Sequence, residues 1–230
     1  MPTIAENLTL VHRQIASAAR DAGRKADDIR LLAVSKGQPA EKLRIAYEAG
    51  QRDFGENYLQ EAMDKIATLS RLDDIQWHFI GPLQSNKTKP VASHFHWVHS
   101  IDRLKVARRL SEQRPAALPA LNLCIQVNID NETSKAGVAP KDVLPLALDM
   151  AELHNVRLRG LMAIPDPSPD TERPSPFTRL ARLLESLRRA DPRLAGLDTL
   201  SMGMSADLAE AVREGATIVR VGTAIFGKRT

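Results

Sequence analysis

Leu31-Leu32-Ala33-Val34-Ser35-Lys36 sets the reading of the whole chain. Four consecutive apolar residues lead into a serine and a lysine, and Gly37 and Pro39 then break the run. An uninterrupted apolar run of this length fits a strand covered on both faces, as in a parallel sheet or barrel. Lys36 closes it, so its amine stands at the mouth of a buried core. Desolvation there disfavours the charged form, and a neutral amine attacks carbonyl carbons. A strand-end lysine reaching back to water is the plainer alternative, and the rest of the chain has to decide between the two.

Upstream, Ile4, Leu8, Val11, Ile15 and Ala18 recur at helical spacing, which predicts a first helix over 3–23 ending at Gly23. Downstream, strand-like and helix-like patterns alternate. Strands are predicted at 30–36, 53–56, 75–80, 97–101, 121–129, 156–164, 199–202 and 217–221. Between them run helical patterns. Asp102 and Ser205 stand where helix caps belong, Pro140 stands at a helix start, and Val143, Leu144, Ala147, Leu148 and Ala151 form the inner face of that helix. The proline-rich stretch 165–176 reads as a loop. Strands separated by helices pair in parallel, because each crossover returns the chain to the same end. About eight such units close most naturally into a (β/α)8 TIM barrel with an extra N-terminal helix, a single domain over 1–230. A doubly wound open sheet is the alternative, but Ser35-Lys36-Gly37-Gln38-Pro39 is not the glycine-rich first turn of that fold.

Composition limits the function classes. Of 230 residues, 43% are hydrophobic and 26% charged, as in an ordinary globular protein, and the net charge of +4 favours anionic ligands without demanding nucleic acid. Aromatic residues are 4% and no nucleic-acid module is present. Cys124 is the one cysteine, so no intrachain disulfide can form; a reducing compartment is expected, with Cys124 as a buried small hydrophobe. The first residues lack a basic stretch followed by an apolar core, and no stretch approaches a membrane span, so a cytoplasmic protein is expected.

In such a barrel the active groups gather at the carboxyl ends of the strands. Those ends carry Lys36, Glu56-Asn57, His78 with Gly81, Ser100, Asn128, Met162, Ser201-Met202-Gly203 and Arg220-Val221-Gly222-Thr223. Loops after strands seven and eight are the habitual phosphate site of the fold, and both here carry glycine beside hydroxyl residues. A lysine amine with a phosphate cradle suggests either a sugar-phosphate aldolase or a pyridoxal 5'-phosphate (PLP) protein.

Seven stretches then carry a resemblance. They are LLAVSK at 31–36, FGENYLQEA at 54–62, WHFIGPLQSNK at 77–87, VNIDNETSKAG at 127–137, GLMAI at 160–164, LSMGMSADL at 200–208 and VRVGTAIFG at 219–227. In these the chain resembles the pyridoxal phosphate homeostasis proteins (the YggS/PROSC family), whose barrel is similar to the N-terminal domain of alanine racemase. The resemblance implies a PLP Schiff base on Lys36, phosphate contacts from Ser201, Gly222 and Thr223, Arg220 facing the pyridine nitrogen, and Asn57 against the ring. His78 would be a nearby rim residue. It also implies a carrier or buffer of PLP without a dedicated substrate reaction, a monomer that meets PLP-dependent apoenzymes transiently and binds neither nucleic acid nor membrane. The runner-up is a true PLP enzyme acting on amino acids, such as a racemase. Alanine racemases append a domain that supplies a catalytic tyrosine, whereas the tyrosines here are Tyr47 and Tyr58, both on early predicted helices.

Two further signals receive the plain reading. His94, His96 and His99 imitate a metal cluster, but strand parity puts His99 on the opposite face from the other two, and no metal is expected. Lys87, Lys89 and Lys135 read as a solvated, positively charged rim.

Overall fold

The computed structural model describes residues 2–130, 136–165 and 174–228. Eight parallel strands follow one another round a closed barrel, in chain order. They are β1 (Arg30–Val34), β2 (Asp53–Glu56), β3 (Gln76–Phe79), β4 (Trp97–Ile101), β5 (Leu121–Gln126), β6 (Val156–Met162), β7 (Thr199–Ser201) and β8 (Ile218–Val221). The barrel closes where β1 pairs with β8, Leu32 opposite Arg220 and Ala33 opposite Val221. The helices are α1 (Ile4–Asp21), α2 (Ala40–Glu48), α3 (Leu59–Thr68), α4 (Thr88–His94), α5 (Leu104–Gln113), α6 (Val143–Ala151), α7 (Pro176–Ala190), α8 (Leu208–Arg213) and α9 (Thr223–Phe226). None among the described residues is long and apolar enough to cross a membrane.

The expected extra helix is α1. Thr3 caps it in a reciprocal box with Glu6, and Leu8, Val11 and Ile15 are buried on one face. Alternate strand residues face outward onto the helices and form the larger apolar layer, including Leu31, Ala33, Phe54, Phe79, Val98, Leu123 and Val219. The inward row is smaller and mixed. Leu32, Trp97, Cys124, Met162 and Ile218 cluster inside the barrel. Trp97 sits low, with Arg159 4.9 Å and Arg30 5.6 Å from its ring and His78 stacked on it at 5.5 Å. Cys124 is fully buried and its thiol pKa is pushed up to about 12 by desolvation, so it packs as the expected small hydrophobe.

Several local expectations are corrected. Asp102 accepts from Arg103 Nη1 and caps nothing; Arg103 occupies the start of α5. Ser205 does not begin a helix either. Residues 204–207 form a turn in which Asp207 Oδ1 accepts from the Met204 N–H, and α8 starts only at Leu208. Pro140 opens a 3-10 turn that leads into α6, where Val143, Ala147 and Met150 are the buried residues while Leu144 is exposed. Strand five stops at Gln126, three residues short of its apolar run. Of the 165–176 loop, 166–173 lies outside the described residues, as does Lys135.

Candidate functional site

A cavity of about 340 Å³ opens at the carboxyl ends of the strands. Its lining includes Val34, Lys36, Asn57, Ile80, Met162, Ser205, Arg220, Gly222 and Thr223. The inward parity of the strands explains the set: Val34 follows Leu32, Ile80 follows His78, and Gly222 follows Arg220 and Ile218. Val34, Ile80 and Met162 give the cavity an apolar lining, which Lys36, Asn57, Ser205, Arg220 and Thr223 complete with polar groups.

Lys36 is half-buried on a turn that several bonds fix. The Ser35 N–H donates to Gly55 O at 3.0 Å, and Ser35 Oγ donates to Glu56 Oε1 at 2.6 Å. Buried Lys65, from α3, donates to Ser35 O and to Glu56 Oε1, both at 2.7 Å, and to Glu61. Glu61 in turn accepts from the Gly37 N–H at 2.6 Å. The residues on either side of Lys36 are thus tied to one ion cluster. Burial raises the pKa of Glu56 and Lys65 opposes that rise. Sequence reading missed Lys65, yet its position was informative: it lies three residues after Ala62 and four before Leu69, on the apolar face of α3.

Asn57 reaches the cavity because Gly81 lets its backbone come close. A Cβ on Gly81 would stand 2.1 Å from Asn57 O. The side-chain Oδ1 of Asn57 is buried and has no hydrogen-bond partner among the described residues. Across the cavity, Gly222 closes β8 against β1, and a Cβ there would stand 3.1 Å from Val34 O. Thr223 and Ser205 add exposed hydroxyl-bearing residues beside it.

Arg220 is buried, and no carboxylate lies within ion-pair distance of it among the described residues. Its Nη1 donates to Ser201 O at 2.5 Å and to Ser201 Oγ at 2.9 Å, and its Nη2 donates to Ala163 O at 2.8 Å. Desolvation pulls its pKa down to about 10. A buried cation held only by neutral acceptors favours a ligand that brings a lone pair or negative charge.

The structure brings together Lys36, Asn57, Arg220, Gly222 and Thr223. Ser201 stands apart: it is fully buried, and its hydroxyl meets Arg220 and His99 inside the barrel. His78 is also corrected from a rim residue to a fully buried one, bonded to His99 and Asp53. Ser205 takes a place in the lining that sequence reading had given to a helix cap. His94 is exposed with its ring on Pro90 O, and His96 Nδ1 accepts from the Trp77 N–H, so the three histidines of that stretch serve three different sites. No cluster that could hold a metal ion occurs among the described residues. Lys87 and Lys89 are exposed, Tyr58 is exposed, and Tyr47 bonds to Asp74; none lines the cavity.

The chain matches the family described as alanine racemase, N-terminal domain, over residues 11–230. It is 59% identical over 229 residues to a pyridoxal phosphate homeostasis protein of Pseudomonas aeruginosa, covering 100% of this chain and 97% of that protein. A relative of the same description from Escherichia coli K12 is 49% identical over 231 residues, with 100% and 98% covered. Among solved structures, PipY of Synechococcus elongatus with PLP bound superposes with a TM-score of 0.85 at 38% identity, covering 98% of this chain and all of that one (100%).

Proposed function

This chain belongs to the pyridoxal phosphate homeostasis proteins, whose barrel is the alanine racemase N-terminal domain, and from that premise we propose that its cavity holds PLP on Lys36. The protein binds pyridoxal 5'-phosphate and acts in PLP homeostasis. The observation that carries the site is the buried Arg220 guanidinium, unpaired with any carboxylate among the described residues, in one cavity lining with the Lys36 amine and apolar Val34, Ile80 and Met162.

The residues fit the group. Lys36 Nζ would hold the aldehyde carbon in a Schiff base, with Val34, Ile80 and Met162 against the ring. Asn57 would offer its Oδ1 beside it, and Arg220 would donate to the pyridine nitrogen. Gly222 and Thr223, with Ser205, would take the phosphate. Ser201 enters this reading as the support of Arg220 rather than as a phosphate ligand. When bound, PLP supplies an aldehyde that combines reversibly with amines, so the chemistry that seats it on a lysine also lets it pass to another.

A guanidinium at the ring nitrogen leaves that nitrogen unprotonated and weakens the ring as an electron sink. Racemisation also needs a second group to move a proton. Among the described lining residues, Lys36 is the one amine and no carboxylate, histidine or tyrosine joins it. Both features favour storage and delivery over turnover. In this reading the protein is a cytoplasmic monomer that exchanges PLP with apoenzymes.

Borohydride reduction of the PLP-loaded protein, followed by peptide mass mapping, tests the anchor. The pyridoxyl group is expected on Lys36. Its appearance on Lys87 or Lys135 with Lys36 unmodified would overturn the assignment.

A further inference from the structure

Beneath the cavity runs a line of polar side chains, of which the cofactor reading uses only Ser201 and Arg220. His78 Nε2 lies 2.9 Å from Asp53 Oδ1, and His78 Nδ1 lies 2.9 Å from His99 Nε2. His99 Nδ1 lies 2.8 Å from Ser201 Oγ, which accepts from Arg220 Nη1 at 2.9 Å. The line therefore crosses the barrel interior from Asp53, at the start of β2, to Arg220, at the cofactor end of β8. Both histidines and Ser201 are fully buried, while Asp53 is partly open to solvent and also meets Arg30 at 3.2 Å.

Counting donors and acceptors gives this line one direction. A guanidinium only donates and a carboxylate only accepts, while a neutral imidazole does one of each. Arg220 fills one acceptor site of Ser201 Oγ, so the Ser201 proton turns to His99 Nδ1. His99 then carries its proton on Nε2 and donates to His78 Nδ1. His78 likewise carries its proton on Nε2 and donates to Asp53. Reversal would aim a bare His78 Nε2 at the Asp53 carboxylate. It would also leave the Ser201 proton with no acceptor along the line.

We propose that Asp53 is a positioning residue for the cofactor site: as the terminal acceptor it orients Arg220 through His78, His99 and Ser201. Hydrogen bonds in such a chain polarise one another, and the low dielectric inside the barrel strengthens each. The carboxylate sets the direction of every bond up to Ser201, and Ser201 then presents a lone pair to the guanidinium. The orientation of Arg220 toward the cavity is fixed from the opposite mouth of the barrel. The chain itself stands on the unliganded geometry; its consequence for PLP rests on the functional reading above.

The test begins on the unliganded protein near neutral pH. Nitrogen-15 spectra of histidine-labelled protein are expected to show His78 and His99 as neutral Nε2–H tautomers, each with Nδ1 accepting. A proton on either Nδ1 overturns the chain. Asp53→Leu removes the terminal acceptor without touching the cavity. It is expected to mix the two tautomers and to speed solvent exchange of the Arg220 guanidinium protons about tenfold. PLP affinity is expected to fall by about fivefold to tenfold, the loss of roughly one hydrogen bond. Asp53→Asn keeps an oxygen acceptor and should restore the parent tautomers and most of the affinity. Arg30→Gln cuts the salt bridge but leaves the chain, and should change neither. Parent tautomers, parent exchange and parent affinity in Asp53→Leu would overturn the positioning role. If that variant does not fold, the parent tautomers still decide. A parent protein that bound no PLP would overturn the functional reading alone, since tautomers and guanidinium exchange are read without cofactor.

Discussion

At the scale of single residues, the cavity separates two kinds of hydroxyl. Thr223 and Ser205 line it, whereas Ser201 lies below and holds Arg220. Hydrogen bonds to a charged group contribute roughly 1.5–3 kcal/mol each. Thr223→Ala and Ser205→Ala are therefore expected to weaken PLP binding by about tenfold or more, with little effect on pyridoxal, which lacks the phosphate. Ser201→Ala is expected to weaken both ligands alike, because it acts on the guanidinium. Titration of both ligands against the three variants checks this. Equal losses for PLP and pyridoxal in Thr223→Ala would move the phosphate away from β8.

At the scale of elements, the turn that bears Lys36 depends on α3. Lys65 bridges the end of β1, through Ser35 O, to Glu56 at the end of β2. Removing one partner of a buried ion pair leaves the other charge uncompensated. Lys65→Met should cost about 3 kcal/mol or more of stability, read by urea denaturation, and should loosen the Lys36 turn. The approach of β3 to β2 has a different basis. In Gly81→Ala the new Cβ would stand 2.1 Å from Asn57 O, so Asn57 must shift. The variant is expected to fold less stably and to bind PLP more weakly, the second effect read by titration. Unchanged affinity would mean that Asn57 does not meet the ring.

Across the whole molecule, several buried or half-buried histidines make stability depend on pH in one direction. Desolvation lowers the pKa of His78, His99 and His96, that of His96 to about 4. In the unfolded chain they titrate near the ordinary value of about 6.5. Below that value the unfolded state binds more protons, so stability is full above about pH 6.5 and declines as pH falls toward the folded-state values. Glu56, whose pKa is raised, works in the opposite sense at the acid end of this range. His96→Gln cancels the Glu56 contribution in a comparison with the parent. It should give a shallower rise of unfolding free energy between about pH 5 and 6.5. Equal slopes in the two proteins would mean that His96 is not held neutral by the fold.

The apolar runs and the strand–helix alternation by themselves determined the barrel. A strand such as 31–34, covered on both faces, is apolar throughout, and eight strand patterns separated by helical ones leave few other closures. Lys36, Arg220 and the Gly222-Thr223 step were legible for a related reason: they break apolar runs at the end where barrels place their sites. Which strand residues face inward was not legible. In a strand buried on both faces the period-two contrast between core and solvent vanishes, so polarity cannot tell an inward His78 from a rim His78. Only closure of the barrel set that parity, and with it the line from Asp53 through His78, His99 and Ser201 to Arg220. The same holds for Lys65 and Ser205. Their partners lie on other elements, and the side-chain pattern of one segment carries no record of what the fold packs against it.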